Sequence, residues 1–310
     1  MAEAIRLHRL GEYPEHNLYG AAALERIGHQ VLYLAPGSAQ MLLRANRLSH
    51  QRLGDIDQQI QALRAPADVI FSGADGATVG LGLLRRGRLL RRSLVGVWHS
   101  PPRGRLSQQA ALGYDLTFAL SRVCCSRLIN LGRSRASTLT LKWGPDVNHP
   151  VYKTKKTNAH EVLVVSAGKS DRDIATLNAA LGGRAARIHG SAPQRPYLDS
   201  LADMAVASVV AIPFSQTDRM LGLTELNDAL AFAKPVIMTR SAHIDVDIEE
   251  IGCGFWVEPG DTAGWREALT KLDDLELARN MGRRGREFAE REWNSDVCGR
   301  QITDAIADLV

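Results

Sequence analysis

Short apolar runs alternate with stretches of helical periodicity along almost the whole chain. In the first half, AIRLHRL, HQVLYLA, ADVIFSG, SLVGVWHS, YDLTFALS and STLTLKWG predict strands. Between the first two, NLYGAAALERIG has apolar positions at helical spacing and ends at Gly28, which predicts a helix and its stop. A polar, lysine-rich stretch, PVYKTKKTNAHE (150–161), interrupts this pattern and has the composition of a linker. The alternation resumes with VLVVSAGK, ARIHGSA, SVVAIPFS, KPVIMTR and CGFWVEPG, then closes with helical patterns from GDTAGWREAL to ITDAIADLV. Strands alternating with helices predict an α/β protein of two Rossmann-like, doubly wound parallel-sheet domains, 1–150 and 151–310. The cleft between such domains is the expected ligand site.

Composition narrows the class. At 310 residues and 45% hydrophobic content, the chain can fill two cores. No run approaches the ~18 apolar residues of a membrane span, and MAEAIRLHRLGEYPEH lacks the apolar core of a signal peptide, so a cytoplasmic location is expected. Cys124, Cys125, Cys253 and Cys298 have no CxxC spacing, which points to reduced, mostly buried thiols rather than zinc ligands. The net charge of +4 is unevenly spread, with five arginines among leucines in LLRRGRLLRRSL (83–94). That stretch reads either as a basic amphipathic helix lying on the inner face of an anionic membrane or as an ordinary surface helix. An aromatic content of 5% offers few stacking platforms for bases, so no nucleic-acid partner is expected.

Candidate chemistry concentrates in three places. In AGKSDRDIATLNAAL (167–181), Gly168 ends a strand and a helix begins near Asp171 or Asp173. Lys169 and Arg172 would then flank the positive end of the helix dipole, an arrangement suited to a diphosphate, or else stand as solvated cations. In RMLGLTELNDALAFAKPVIMTRS (219–241), Gly222 and Thr224 supply a second phosphate-contacting turn and Asp228 a carboxylate for a ribose diol, although Thr or Asp near a helix start also serves as a cap. His99 ends the strand SLVGVWHS ahead of Ser100, Pro101 and Pro102, at the carboxyl end where α/β sheets bind ligands. Tyr13, Pro14, Glu15, His16 and Asn17 follow the first predicted strand and are candidates for a second substrate. No metal site is expected: His16, His149, His189 and His243 lack ligand spacing, and Asp245 with Asp247 reads as a solvated acidic face. GADGATVGLG (73–82) matches neither GxGxxG nor GxxxxGK[ST], and no GxSxG elbow is present.

AGKSDRD, GLTELNDALAFAKPVIMTR and EEIGCGFWVEPGD together resemble the C-terminal domain of family 4 glycosyltransferases with the GT-B fold. VGVWHSPP, ALSRVCCSRLINLG and LTLKWGPDVNHPVY resemble pieces of that family's N-terminal half; the resemblance covers most of the chain and is stronger after residue 160. It implies a nucleotide-sugar donor in the C-terminal domain, a saccharide, lipid-linked or small-molecule acceptor in the N-terminal one, and retaining transfer without a metal or any cofactor beyond the donor. By the resemblance, Lys169 and Arg172 take the diphosphate-binding cations, Gly222, Leu223 and Thr224 the glycine-centred loop, Asp228 the ribose-binding glutamate, and His99 the histidine beside the transferred sugar. The family's other glutamate falls here on Arg219 or Met220, with Asp218 and Glu225 as the nearby acids, and Ala233 replaces the glycine before Lys234-Pro235. Sugar-nucleotide 2-epimerases share the architecture, and a subunit that keeps the fold without transfer activity is a further reading. Membrane contact through 83–94 would favour a lipid-linked acceptor, and its absence a soluble one.

Overall fold

A computed structural model describes residues 2–34, 53–153, 162–168, 170–189, 196–215 and 217–309. Lys169 and most of the predicted linker (154–161) lie outside the described residues. The chain divides into two compact units: unit 1 comprises Met1–Leu10, Glu15–Trp143 and Asp296–Val310, and unit 2 comprises Gly11–Pro14 and Gly144–Ser295. The change of unit therefore falls at Gly144 rather than after residue 150, and the chain returns to unit 1 at its end. The return has a packing reason, since Ile302 lies over Gly20 and Gly299 abuts Ala23.

Unit 1 begins with α1 (Ala2–Arg9), α2 (Ala21–Arg26) and α3 (Ile56–Arg64). Its parallel sheet has the order β1 (Val69–Ser72), β2 (Ser93–Trp98), β3 (Leu116–Ala119), β4 (Thr138–Thr140), connected by α4 (Val79–Arg86), α5 (Arg105–Ala111) and α6 (Arg122–Asn130). Two sequence expectations fail here. AIRLHRL belongs to helix α1, in which Glu3 pairs with Arg6 one turn on and Ile5 packs on Leu18 and Ala21; residues 29–34 of HQVLYLA form no strand. An apolar run becomes a strand only where a neighbour pairs with it, and among the described residues the edge strand on this side of the sheet is Val69–Ser72. The four strands ADVIFSG, SLVGVWHS, YDLTFALS and STLTLKWG form as expected, with Leu94, Trp98, Tyr114 and Leu128 in their core.

Three arginines sew together the loops at the amino-terminal edge of this sheet. Arg92 donates to the carbonyls of Leu63 and Ala65, both at 2.6 Å. Arg85 forms a two-pronged pair with Asp115 at 2.6 and 2.8 Å and reaches the Leu90 carbonyl at 3.1 Å. Arg133, buried beneath them, donates to Ala111, Tyr114 and Ser137 carbonyls at 2.7 to 3.0 Å, and burial pulls its pKa down to about 10. The stretch 83–94 is thus not one amphipathic helix but the end of α4, a turn and the start of β2, with Arg85 and Arg92 spent on internal contacts.

Unit 2 contains β5 (Leu163–Ser166), α7 (Ile174–Leu181), β6 (Ala185–Ile188), α8 (Tyr197–Val206), β7 (Val209–Ile212), α9 (Leu223–Ala231), β8 (Val236–Thr239), β9 (Gly254–Val257), α10 (Thr262–Lys271) and α11 (Leu275–Glu292). α12 (Ser295–Ile306) carries the chain back to unit 1. All strand pairs of the second sheet are parallel, in the order β6-β5-β7-β8-β9. Val164, Val209 and Ile237 meet Leu177, Trp265 and Leu269 in its core. The winding reverses at β5, so a crevice opens outside the carboxyl ends of β5 and β7.

Arg133→Ala strands several buried carbonyls and is expected to lower stability by about 3 kcal/mol in urea denaturation, whereas Arg88→Ala, on the exposed turn, leaves it within about 0.5 kcal/mol. Equal losses would show that the arginine stitching is dispensable.

Candidate functional site

The crevice at the reversal point of unit 2 is a cavity of about 320 Å³. Gly168, Arg172, Gly222, Leu223, Thr224 and Asp228, from two sequence stretches about 50 residues apart, all line it, together with Glu225 and Tyr197. His99 lies in unit 1.

Local geometry explains why these residues face inward. Gly222 holds φ 77°, a left-handed turn that starts α9. A Cβ at this position would sit 2.6 Å from Ile212 Cγ2 and 3.0 Å from Met238 Cε, so only glycine fits. No side chain caps α9, which leaves the N–H groups of Leu223, Thr224 and Glu225 without intrahelical acceptors at the cavity wall. The start of α7 differs. Asp173 closes it by accepting from the Thr176 backbone at 3.1 Å and from its hydroxyl at 2.7 Å. Of the two helix starts expected to attract an anion, the open one belongs to α9.

Arg172 turns away from α7 and bonds Glu225 in the first turn of α9 at 2.6 Å, with both side chains almost fully buried. The other Glu225 oxygen accepts from the Ala167 N–H at 2.6 Å. The guanidinium lies against Gly168, where an added Cβ would fall within 2.0 Å of it, and its Nε has no hydrogen-bond partner. A cation half used by the protein thus sits opposite an uncapped helix start. Ala233, at the other end of α9, adopts φ 53°, so the backbone shape that favours glycine persists without one.

Asp228, one turn further along α9, is 1% exposed. Tyr152 and Tyr197 both donate their hydroxyls to its Oδ1 at 2.7 Å, and Tyr13 stacks obliquely on Tyr197 with centroids 5.2 Å apart. Burial pushes the Asp228 carboxyl up to about 7, against the pull of the two tyrosine hydrogen bonds, and the Glu225 carboxylate adds to the rise. From the sequence Glu225 stood out only as an acid near the missing glutamate, with no link to Arg172, and Tyr152 and Tyr197 did not stand out at all. Their signals were faint: two acids one helical turn apart, and a tyrosine opening α8.

In unit 1, His99 follows β2 as expected. Its Nδ1 lies 3.2 Å from Asp75 Oδ1 and its Nε2 2.8 Å from the Tyr19 hydroxyl. With the ring proton donated to Asp75, Nε2 accepts from Tyr19, whose ring stacks on Trp143 at 5.3 Å. Asp75 and His99 lie just past the carboxyl ends of β1 and β2, and His99 and Tyr19 line a second cavity of about 630 Å³. Tyr13 to Asn17 follow a helix rather than a strand, and His16 is buried beside Trp143, with ring centroids 5.7 Å apart. Asp247 accepts from the Glu249 and Glu250 backbone and from Trp256 Nε1, which fastens a turn.

The two parallel-sheet α/β units are those of the GT-B glycosyltransferase fold. No family model matches the chain. A curated relative, N-acetyl-alpha-D-glucosaminyl L-malate synthase of Bacillus anthracis, is 32% identical over 113 residues, a stretch covering 36% of this chain and 29% of that protein. Among solved structures, a glycosyltransferase from Rickettsia africae superposes with a TM-score of 0.67 at 12% identity, over 95% of this chain and 94% of that one. Anabaena HepE, solved in complex with UDP and glucose, gives 0.66 at 15% identity, over 95% and 96% of the two chains. Alpha,alpha-trehalose 6-phosphate synthase of Burkholderia multivorans gives 0.63 at 12% identity, over 86% and 74%.

The position of Asp228 has a measurable consequence. Its folded value of about 7 stands above its unfolded value of 3.8, so between these limits the native state holds a proton that the unfolded chain has released. Its contribution to stability is therefore complete below about pH 4 and is lost as pH rises through about 7, at no more than about 1.4 kcal/mol per pH unit. Asp228→Asn is expected to remove that slope in denaturation measured from pH 4 to pH 8. Parallel curves for the two proteins would contradict it.

Proposed function

We propose that the chain is a glycosyltransferase whose unit 2 holds a nucleoside-diphosphate sugar. One observation carries this reading: the uncapped start of α9 and the guanidinium of Arg172 line one cavity at the reversal point of a parallel sheet. The similarity to HepE, which binds UDP and glucose, and to a glucosaminyl malate synthase supports it.

In this reading the N–H groups of Leu223, Thr224 and Glu225 bind diphosphate oxygens, Arg172 contributes its positive charge beside them, and Lys169 adds a second cation. The helix-start N–H groups and the Arg172 guanidinium are held in place before the ligand arrives. They stabilise the charge that builds on the diphosphate as the bond to the anomeric carbon breaks. Asp228 closes the floor of the cavity and is assigned to the ribose. His99, oriented by Asp75 and Tyr19, is assigned in unit 1 to the transferred sugar. Retention of configuration, independence from metal and a saccharide, lipid-linked or small-molecule acceptor complete the reading, and these rest on the resemblance to family 4.

Arg219 favours a second reading, a partner subunit without transfer activity. It is one of the two positions, with Met220, on which the resemblance puts a glutamate, and its guanidinium pairs with the Asp171 carboxylate. Thermal denaturation with UDP, GDP, ADP and TDP, followed by an assay for donor turnover, separates the two. One diphosphate is expected to stabilise the protein by about 2.7 kcal/mol at a hundredfold excess over Kd, and Arg172→Gln to remove most of that shift. Stabilisation without turnover of the sugar conjugate would favour the partner subunit. No shift with any nucleotide would overturn both the donor site and the transferase.

A further inference from the structure

The edge of unit 1 opposite His99 carries a second candidate surface. The loops that precede β1, β2 and β4 all emerge at the amino-terminal edge of the sheet, and the Arg92, Arg85 and Arg133 bonds hold them together. Exposed here are Arg64 at the end of α3 and Arg88, Arg91 and Arg135 on the loops, none with an acidic partner among the described residues. Of the acids on this edge, Asp115 is taken by Arg85 and Asp68 stands exposed. Leu89 is 77% exposed and Leu63 41% exposed.

Leu89 is not a loose loop tip. Its N–H bonds the Leu84 carbonyl at 2.9 Å and the Arg88 N–H bonds the Arg85 carbonyl at 3.0 Å, while Arg88 adopts φ 59°. This is the left-handed closure of a helix, in which the residue at the Leu89 position ordinarily folds back onto the last turn. Here a rigid turn instead presents an apolar side chain to water between two arginines, at the position of Arg88 where glycine is the easier residue.

We propose that this edge docks on an anionic lipid surface, with Leu89 inserted between headgroups and Arg88, Arg91, Arg64 and Arg135 on their phosphates. An exposed leucine gains from an acyl boundary and gains nothing from a nucleic-acid backbone, and the tyrosine of this edge, Tyr114, is buried and offers no base a stacking face. The orientation reverses the expectation that membrane contact implies a lipid-linked acceptor. β2 runs from this edge to His99, and its six residues span about 20 Å. If unit 1 contributes His99 to transfer, as proposed above, the acceptor hydroxyl is reached well away from the lipid plane, on a soluble molecule or a long polar headgroup. Docking itself does not rest on that reading.

Co-sedimentation with vesicles of phosphatidylcholine, alone or with about one-third phosphatidylglycerol, tests the docking. The wild-type protein is expected to pellet only with the anionic vesicles at about 0.1 M NaCl and to be released at about 0.5 M. Arg88→Glu with Arg91→Glu should lower the partition coefficient at least tenfold, and Leu89→Ser several-fold with an unchanged salt dependence. Arg283→Glu with Arg300→Glu makes the same charge change elsewhere and should have little effect. Equal loss in that control, no pelleting of the wild type, or tighter binding to a single-stranded RNA that ignores Leu89→Ser would each overturn the proposal.

Discussion

The buried Arg172–Glu225 pair joins the segment after β5 to the first turn of α9. Burying two charges carries a desolvation penalty that attraction alone rarely offsets, and such a pair holds only where further hydrogen bonds satisfy its remaining atoms. Here the Ala167 N–H satisfies Glu225, while Gly168 leaves the space in which the guanidinium lies. The pair is therefore better understood as a positional device than as a source of stability. It fixes the separation between a cation and an open helix start, and that separation defines the cavity.

The same division between holding and presenting appears in unit 1. Arg85, Arg92 and Arg133 spend their donors on neighbouring loops, so the amino-terminal edge of the sheet is rigid. The arginines left over are the exposed ones. At the carboxyl ends, Asp75 and Tyr19 fix both ring nitrogens of His99, which leaves the imidazole little freedom to rotate. In each unit the sequence spends polar side chains on orienting a smaller number of others.

Much of this was legible in the pattern of apolar residues. The runs ADVIFSG to STLTLKWG and VLVVSAGK to CGFWVEPG became strands because they pair in register inside two cores. AIRLHRL and residues 29–34 carry the same signal yet join no strand pair among the described residues, since periodicity reports which faces are apolar and not which partner is available. The leucine–arginine stretch misled for a related reason: its composition is amphipathic, but Gly87 and Arg88 end the helix in its middle. Six candidate site residues share a cavity because strand ends and helix starts could be located from sequence. The pairing of Glu225 with Arg172 and the tyrosines on Asp228 could not be. Arg172 meets Glu225 across 53 residues, and Tyr152 meets Asp228 across 76, so these contacts depend on the order of strands in the sheet.

The proposed donor site places a nucleoside diphosphate in the cavity of unit 2, between Arg172 and the start of α9. Hydrogen exchange with and without saturating UDP tests it most directly, because the helix-start amides are the groups assigned to the ligand. The account predicts slowed exchange at Leu223, Thr224 and Glu225 and in the segment around Gly168, with the sheet of unit 1 unchanged. Protection confined to unit 1, or none in either stretch of unit 2, would contradict it.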